Sequence, residues 1–253
     1  MKISGNTILI TGGASGIGFG MAAAFVNAGN KVLICGRRQA KLEEARKILP
    51  QLHVRQCDVS QKEGCISLYD WIRNQHPDLN ILINNAGISR FIDFRKGAPA
   101  LFRDDGEIAT NLAAPVYLSA CFIPLLLGKR EAAIVNISSG LGFIPMASAP
   151  LYCATKAGIH IFSLSLRHQL KDTSIRVFEI MPPIVDTDLG KDSMDSPPRT
   201  FKGISPSEFA IKALKAIEND EYEMASGEAR DLMEGSRRNF DEVFQMLNKG
   251  FDQ

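Results

Sequence analysis

"ITGGASGIGFG", Ile10 to Gly20, follows the β-branched run "TILIT" (7–11) and leads into a stretch with helical spacing. A glycine-rich turn between a strand and a helix is the setting that phosphate binding requires. Gly12 permits the tight turn, Gly16 lets the backbone approach a pyrophosphate, and Gly18 lets the helix pack closely on the strand. Ala14, Ser15 and Ile17 complete the turn. The helix N-terminus brings free N–H groups and a partial positive charge to the same point. A Gly-rich turn alone could be no more than a tight turn, but strand before and helix after favour a nucleotide site.

Further along, short apolar runs recur between helical patterns. They are "KVLIC" (31–35), "HVRQC" (53–57), "ILINN" (81–85), "AAIVNIS" (132–138) and "IRVFEIMP" (175–182), with a weaker one near "EYEMAS" (221–226). Near-continuous apolar strands mean a sheet covered on both faces, and their alternation with helices means a parallel sheet. The predicted fold is therefore α/β: a Rossmann-type, doubly wound parallel sheet of about seven strands with helices on both faces. No linker interrupts it, so residues 1–253 read as a single domain. Gly29 should stop the first helix. Capping boxes are predicted at Ser60 with Glu63 and at Ser205 with Glu208, the latter with Pro206 in the first helical position. Residues 186–203, rich in Asp, Ser, Pro and Lys, form the one long irregular stretch and are expected to be a mobile substrate loop.

Composition narrows the function. A chain of 253 residues, 45% hydrophobic, can bury a large core, and its formal charge of +1 is spread rather than clustered. Nucleic acid is thus not an expected partner, nor is an anionic membrane surface. Five cysteines without CxxC spacing read as reduced packing thiols of a cytoplasmic protein. No apolar run is expected to approach a membrane-spanning length, and no signal peptide is evident. Neither the four histidines nor the cysteines offer metal-ligand spacing, and "ISSGLG" is not the elbow of a serine hydrolase.

The end of the second run decides which dinucleotide fits. NAD wants an acid there for its ribose hydroxyls, and NADP wants an arginine for its 2′-phosphate. "ICGRR" puts Gly36 where the acid would sit, then Arg37 and Arg38, so NADP(H) is the preferred cofactor and NAD(H) the alternative. Asp58 and Val59, in "CDV", should border the adenine, with Asp58 accepting from its amino group. In "LYCATKAGIHIFS" (151–163), Tyr152 and Lys156 lie four apart on an otherwise apolar helix. A buried ammonium needs a partner, and a phenol beside it reads as a tuned acid.

These motifs together resemble the short-chain dehydrogenase/reductase family over nearly the whole chain. The markers are "TGGASGIG" (11–18), "CDV" (57–59), "NNAG" (84–87), "TNLAAP" (110–115), "ISSG" (137–140) and "YCATK" (152–156). "CDVSQ", "LRHQLKDTSIRV" and "PPIVDT" further resemble its DltE-like bacterial oxidoreductases. The resemblance implies an oxidoreductase moving hydride between nicotinamide and a small carbonyl/alcohol substrate. Tyr152 would be the general acid/base and Lys156 the residue that lowers its pKa and holds the nicotinamide ribose. Ser139, thirteen residues before the tyrosine, would orient the carbonyl while Ser138 stays structural. Asn111, in a long helix among neighbours that read as buried (Ile108, Leu112, Ala113), would bind a water leading to Lys156.

At the end of the fourth strand, Asn85, Ala86 and Gly87 would pass beside the cofactor, the small residues leaving room for ribose and Asn85 fixing the turn. Pro182, Val185 and Thr187 would meet the nicotinamide end, although Pro183 stands where the family has glycine. The histidines receive no catalytic role. The substrate pocket would draw on Arg90, Phe143, Ile144, Met146 and the 186–203 loop. Two long apolar helices imply a homodimer, or a homotetramer through the last strand and helix. The alternative is a silent NADP-binding regulatory or scaffold protein on the same fold.

Overall fold

The computed structural model describes residues 1–97, 106–190 and 202–251. They build one parallel sheet of seven strands in the order β3-β2-β1-β4-β5-β6-β7. The strands are β1 (Thr7–Thr11), β2 (Lys31–Gly36), β3 (His53–Gln56), β4 (Ile81–Asn84), β5 (Ala132–Ile137), β6 (Ile175–Met181) and β7 (Glu223–Ala225). Every run read from the sequence is present, including the weak seventh. Most of the expected substrate loop, 191–201, lies outside the described residues.

Successive strand residues face opposite sides, and the two cores follow that rule. Ile8 and Ile10 pack with Phe25, Phe178 and Phe209 on one face, and Leu9 packs with Leu68, Phe122 and Leu166 on the other. Helices α1 (Gly16–Asn27), α2 (Gln39–Ile48) and α6 (Pro206–Glu218) supply the first side; α3 (Lys62–Gln75), α4 (Gly106–Leu127) and α5 (Pro150–Gln169) supply the second. Helices α7 (Glu228–Arg238) and α8 (Phe240–Asn248) follow β7.

The helix ends are set by local chemistry. Gly29, at φ +80°, accepts the left-handed conformation that stops α1. Ser205 caps α6, its Oγ accepting from Glu208 N at 3.1 Å, with Pro206 in the first turn. The cap expected at Ser60 does not form. Asp58 Oδ1 accepts from both the Ser60 N–H (3.0 Å) and its hydroxyl (2.7 Å), and α3 starts later, at Lys62.

The expectation about apolar length also needs correction. Helix α4 is 22 residues long and apolar enough to cross a membrane by length and composition. One face of it serves the core, with Leu118, Phe122 and Leu126 buried against α3 and the sheet, while Tyr117 and Leu127 are exposed. Ile108, read as buried, is instead 50% exposed.

Candidate active site

The strand order reverses between β1 and β4, and ligands of doubly wound sheets sit at the carboxyl ends of strands at such a point. A cavity of about 550 Å³ opens there, reached by the ends of β1 through β6. Its phosphate end is shaped by backbone contacts. Gly12 (φ +64°) and Gly16 (φ +53°) hold the left-handed turn. A Cβ on Gly18 would collide with the Gly12 carbonyl and lie 2.5 Å from Asn85 Nδ2. Asn85 ties this turn to β4, Nδ2 donating to Thr11 O at 2.9 Å and Gly12 O at 3.3 Å. The Ser15 side chain makes no cap bond, leaving the first N–H groups of α1 facing the cavity where Ala14, Ile17 and Gly18 also line it.

At the far end lie Arg37 and Arg38, with Lys41 one turn into α2. Sequence reading missed Lys41, although its place in the first turn of the helix that follows Arg37 and Arg38 was the available signal. Gly36 leaves open space: a Cβ there would find only Leu42 Cδ2, at 4.0 Å. The first side-chain atom would meet no crowding there, so backbone packing does not impose the glycine. Asp58 and Val59 line the neighbouring wall, as do Ala86 and Gly87. A tight glycine cradle, free helix N–H groups and three cations together fit a dinucleotide carrying an extra phosphate.

The other end is built from α4, α5 and the exits of β5 and β6. Tyr152 and Lys156 both line the cavity, and both are nearly buried, at 8% and 5% exposure. A polar chain holds their helix to the sheet: Asn84 Nδ2 donates to Asn136 Oδ1 (2.8 Å), and Asn136 Nδ2 donates to Ser163 Oγ (2.9 Å). The Lys156 ammonium donates to Ile137 O at 2.7 Å and lies 5.5 Å from the Tyr152 ring centre. Burial pushes the Tyr152 phenol up to about 12, with a hydrogen bond to Ser139 pulling the other way. Burial likewise pushes Lys156 down to about 8, opposed by Glu179 and Glu107. Among the protein's own groups, desolvation therefore outweighs the acidification expected of the lysine.

Ser139 reaches Tyr152 but does not itself form the cavity wall; Ser138 does. Asn111 sits in a π-turn, Ala109–Ala113, a distortion of α4 of the kind found at functional sites. Its amide clasps the chain leaving β4: Ile88 N donates to Oδ1 (2.9 Å), and Nδ2 donates to Ile88 O (2.8 Å) and Thr155 Oγ1 (3.2 Å). Pro182 and Thr187 line the wall, Thr187 lying over Gly16. Val185 does not line it; it is 7% exposed, packs into the core and bridges to Ile204. Pro183 lies over Gly227, where an added Cβ would sit only 2.9 Å from the proline's own Cβ, so the missing side chain at Gly227 gives it room.

Comparison with known proteins agrees with this geometry. The model of the short chain dehydrogenase family matches residues 6–197. The chain is 46% identical over 248 residues to the uncharacterized oxidoreductase DltE of Bacillus subtilis (strain 168), covering 98% of each. It is 33% identical over 181 residues to the NADP-dependent 3-hydroxy acid dehydrogenase YdfG of Escherichia coli (strain K12), 70% of this chain and 72% of that one. The solved short-chain dehydrogenase from Sphingobium yanoikuyae in complex with NADPH superposes with a TM-score of 0.79 at 25% identity, over 94% of this chain and 95% of that one.

Proposed function

The chain belongs to the short-chain dehydrogenase family, and from that premise we propose that it is an NADP(H)-dependent oxidoreductase interconverting a small carbonyl compound and its alcohol. The observation that carries this reading is the buried Tyr152–Lys156 pair, with Tyr152 hydrogen-bonded to Ser139 and Lys156 to the Ile137 carbonyl, at the opposite end of one cavity from Arg37, Arg38 and Lys41. Bound NADPH would supply the hydride. Ser139 orients the carbonyl by a hydrogen bond from its hydroxyl to the oxygen, keeping its own proton. Tyr152 gives its phenolic proton to that oxygen as negative charge develops, and takes it back in the reverse direction. Lys156, held by the Ile137 carbonyl, stabilises the phenolate that remains and reaches the ribose. Asn111 fixes the Ile88 backbone that borders the reacting end. Asn85, Ala86, Gly87, Asp58, Val59, Pro182 and Thr187 line the cofactor's path, with Val185 supporting it from the core.

The test is NADPH oxidation followed at 340 nm over a broad carbonyl panel that includes short 3-oxo acids, the class suggested by the YdfG relative. Turnover with NADPH in preference to NADH is expected. Tight NADPH binding without turnover on any member would favour the silent scaffold. Pro183, which departs from the family's glycine at this point, packs where Gly227 has no side chain.

The single-domain chain works in this reading as a cytoplasmic homodimer without nucleic-acid or membrane partners. Tyr117 on α4 and Ile161 and Leu164 on α5 expose apolar surface (45%, 60% and 38%) on the two helices expected to pair. Leu166, by contrast, belongs to the core. Light scattering should give a dimeric mass or a multiple of it, reduced by Ile161→Asp; a monomeric wild type would refute the assembly.

A further inference from the structure

Helix α5 carries, beyond Tyr152 and Lys156, a histidine on the same face. His160 follows Lys156 by four residues, which brings it one turn further along the same face. Its ring packs against Phe143 at 4.5 Å between centres. Its Nδ1 lies 2.8 Å from Glu179 Oε2, and Ser138 Oγ donates to Glu179 Oε1 at 2.5 Å. Glu179, on β6, has no exposure at all. A carboxylate so placed is costly unless hydrogen-bonded and paired, and no sequence motif predicts one.

The contacts also bring this carboxylate towards Lys156: Ser138, which donates to Glu179, directly follows Ile137, whose carbonyl accepts from the Lys156 ammonium at 2.7 Å, and His160 lies one turn from Lys156. At that site its charge favours the ammonium against burial. Other charges face the pair. Glu107 from α4 also favours the Lys156 ammonium, while Glu223 from β7 favours the His160 imidazolium and Arg167 on α5 opposes it. The hydrogen bond to Glu179 raises the pKa of His160 above its ordinary value, while burial brings Lys156 down to about 8. Two cations thus compete for one buried anion.

We propose that Glu179 is the counter-charge that keeps Lys156 protonated, and that His160, by holding or releasing its own proton, sets how much of that charge the lysine receives. With the imidazole neutral, the carboxylate's charge acts on Lys156 undiminished. With the imidazolium formed, the His160–Glu179 pair balances itself and Lys156 is left weakly countered. The loss of the His160 proton as pH rises therefore strengthens the hold on the lysine's proton, extending the range over which the ammonium persists. Both are positioning residues, since neither is placed against the reacting atoms. The inference rests on the Tyr152–Lys156 reading above.

The experiment is an NMR titration of the protein without added cofactor, with lysine labelled by carbon-13 at Cε and the Lys156 signal assigned by its loss in Lys156→Arg. Glu179→Gln keeps the shape and removes the charge, and should lower the Lys156 midpoint by about one pH unit or more. His160→Asn keeps a donor near the Nδ1 position and removes the competing cation, and should raise the midpoint by about half a unit. Loss of packing would not move the two variants in opposite directions. A Glu179→Gln shift below about 0.3 unit, or shifts of the same sign, would overturn the proposal. If Glu179→Gln does not fold, His160→Asn decides alone, with the wild-type His160 ring signals followed in the same titration: where the imidazolium persists to the lysine midpoint, an unmoved or lowered midpoint in the variant refutes the proposal, and an imidazole already neutral there refutes the competition itself. The titration needs no substrate, so a failed carbonyl panel with the expected shifts would reject the reaction and keep the charge arrangement.

Discussion

At the phosphate end of the cavity, shape comes from backbone atoms that leave no space for a side chain; at the Tyr152 end, it comes from ionisable groups withdrawn from water. Gly18 abuts the Gly12 carbonyl and Asn85, and a single methyl would break that contact. Tyr152, Lys156 and Glu179 are held at 8%, 5% and 0% exposure with their own small set of partners. The first end is a steric mould that works at any pH. The second stores electrostatic cost whose size depends on protonation. Changes at the two ends should consequently fail in different ways.

The largest effect belongs to the electrostatic end. Tyr152→Phe deletes only the hydroxyl, and the ring still packs. Turnover should fall by about 10²–10⁴-fold, while NADPH binding by fluorescence changes little. Retention of more than a tenth of kcat would remove Tyr152 as the proton donor. At the steric end, Gly18→Ala should show the converse pattern. The added methyl must displace the turn, costing about 1–3 kcal/mol, so melting temperature and NADPH affinity should both drop. A variant that melts and binds like wild type would mean that the turn is looser than its contacts indicate.

The same contrast explains what the sequence could disclose. Steric requirements are local, so Gly12, Gly16 and Gly18 announce themselves by spacing, and strands covered on both faces announce themselves as apolar runs. Four of those runs read one residue too long. Cys57, Asn85, Ser138 and Pro182 each fall just past the observed strand end, and each lines the cavity. The residues that leave the ladder to face the cavity keep strand-like neighbours, and no pattern separates them. Burial of charge is not local at all. Nothing in "VFEIM" reveals that Glu179 meets Ser138 and His160, from β5's exit and α5, because sequence separations of 41 and 19 residues are closed only by the fold. The failed Ser60 cap is the small-scale version, where Asp58, two residues away, accepts from the Ser60 N–H and hydroxyl and draws the serine away from the helix.

The cation-lined region beyond the phosphate turn permits a change of charge without a change of shape. Gly36→Asp has room, with its nearest neighbour at 4.0 Å, and φ there is not in the left-handed region. The new carboxylate should repel a 2′-phosphate and accept from ribose hydroxyls instead. NADPH affinity should weaken by about 10–100-fold, or roughly 1.4–2.7 kcal/mol, with NADH gaining relative to it and melting temperature held. Calorimetry with both cofactors checks this. Unchanged preference would place the discriminating contact elsewhere along Arg37, Arg38 and Lys41.

The smallest expected effect is also the one that separates the two ends most cleanly, because it should stabilise the protein while disabling it. Lys156 is driven from an ordinary 10.5 to about 8 by burial. The unfolded chain therefore binds the proton more tightly than the folded one. Stability rises with pH between about 8 and 10.5 and carries its full penalty below that window. A drop of this size corresponds to roughly 3 kcal/mol. Lys156→Met removes the charge and keeps the length, but it leaves the Ile137 carbonyl without its 2.7 Å donor, which costs about 1–3 kcal/mol in return. The net at neutral pH should favour the variant by about 1 kcal/mol, or about 2–4 °C in melting temperature, with turnover lost. Above pH 10 the advantage should vanish, because the wild-type lysine is then neutral in the fold. Thermal melts at pH 7 and at the alkaline end decide it. A variant that melts below wild type at pH 7 would mean that the lysine's hydrogen bond and its attraction to Glu179 outweigh burial, and that this end of the cavity, like the other, is held by its contacts.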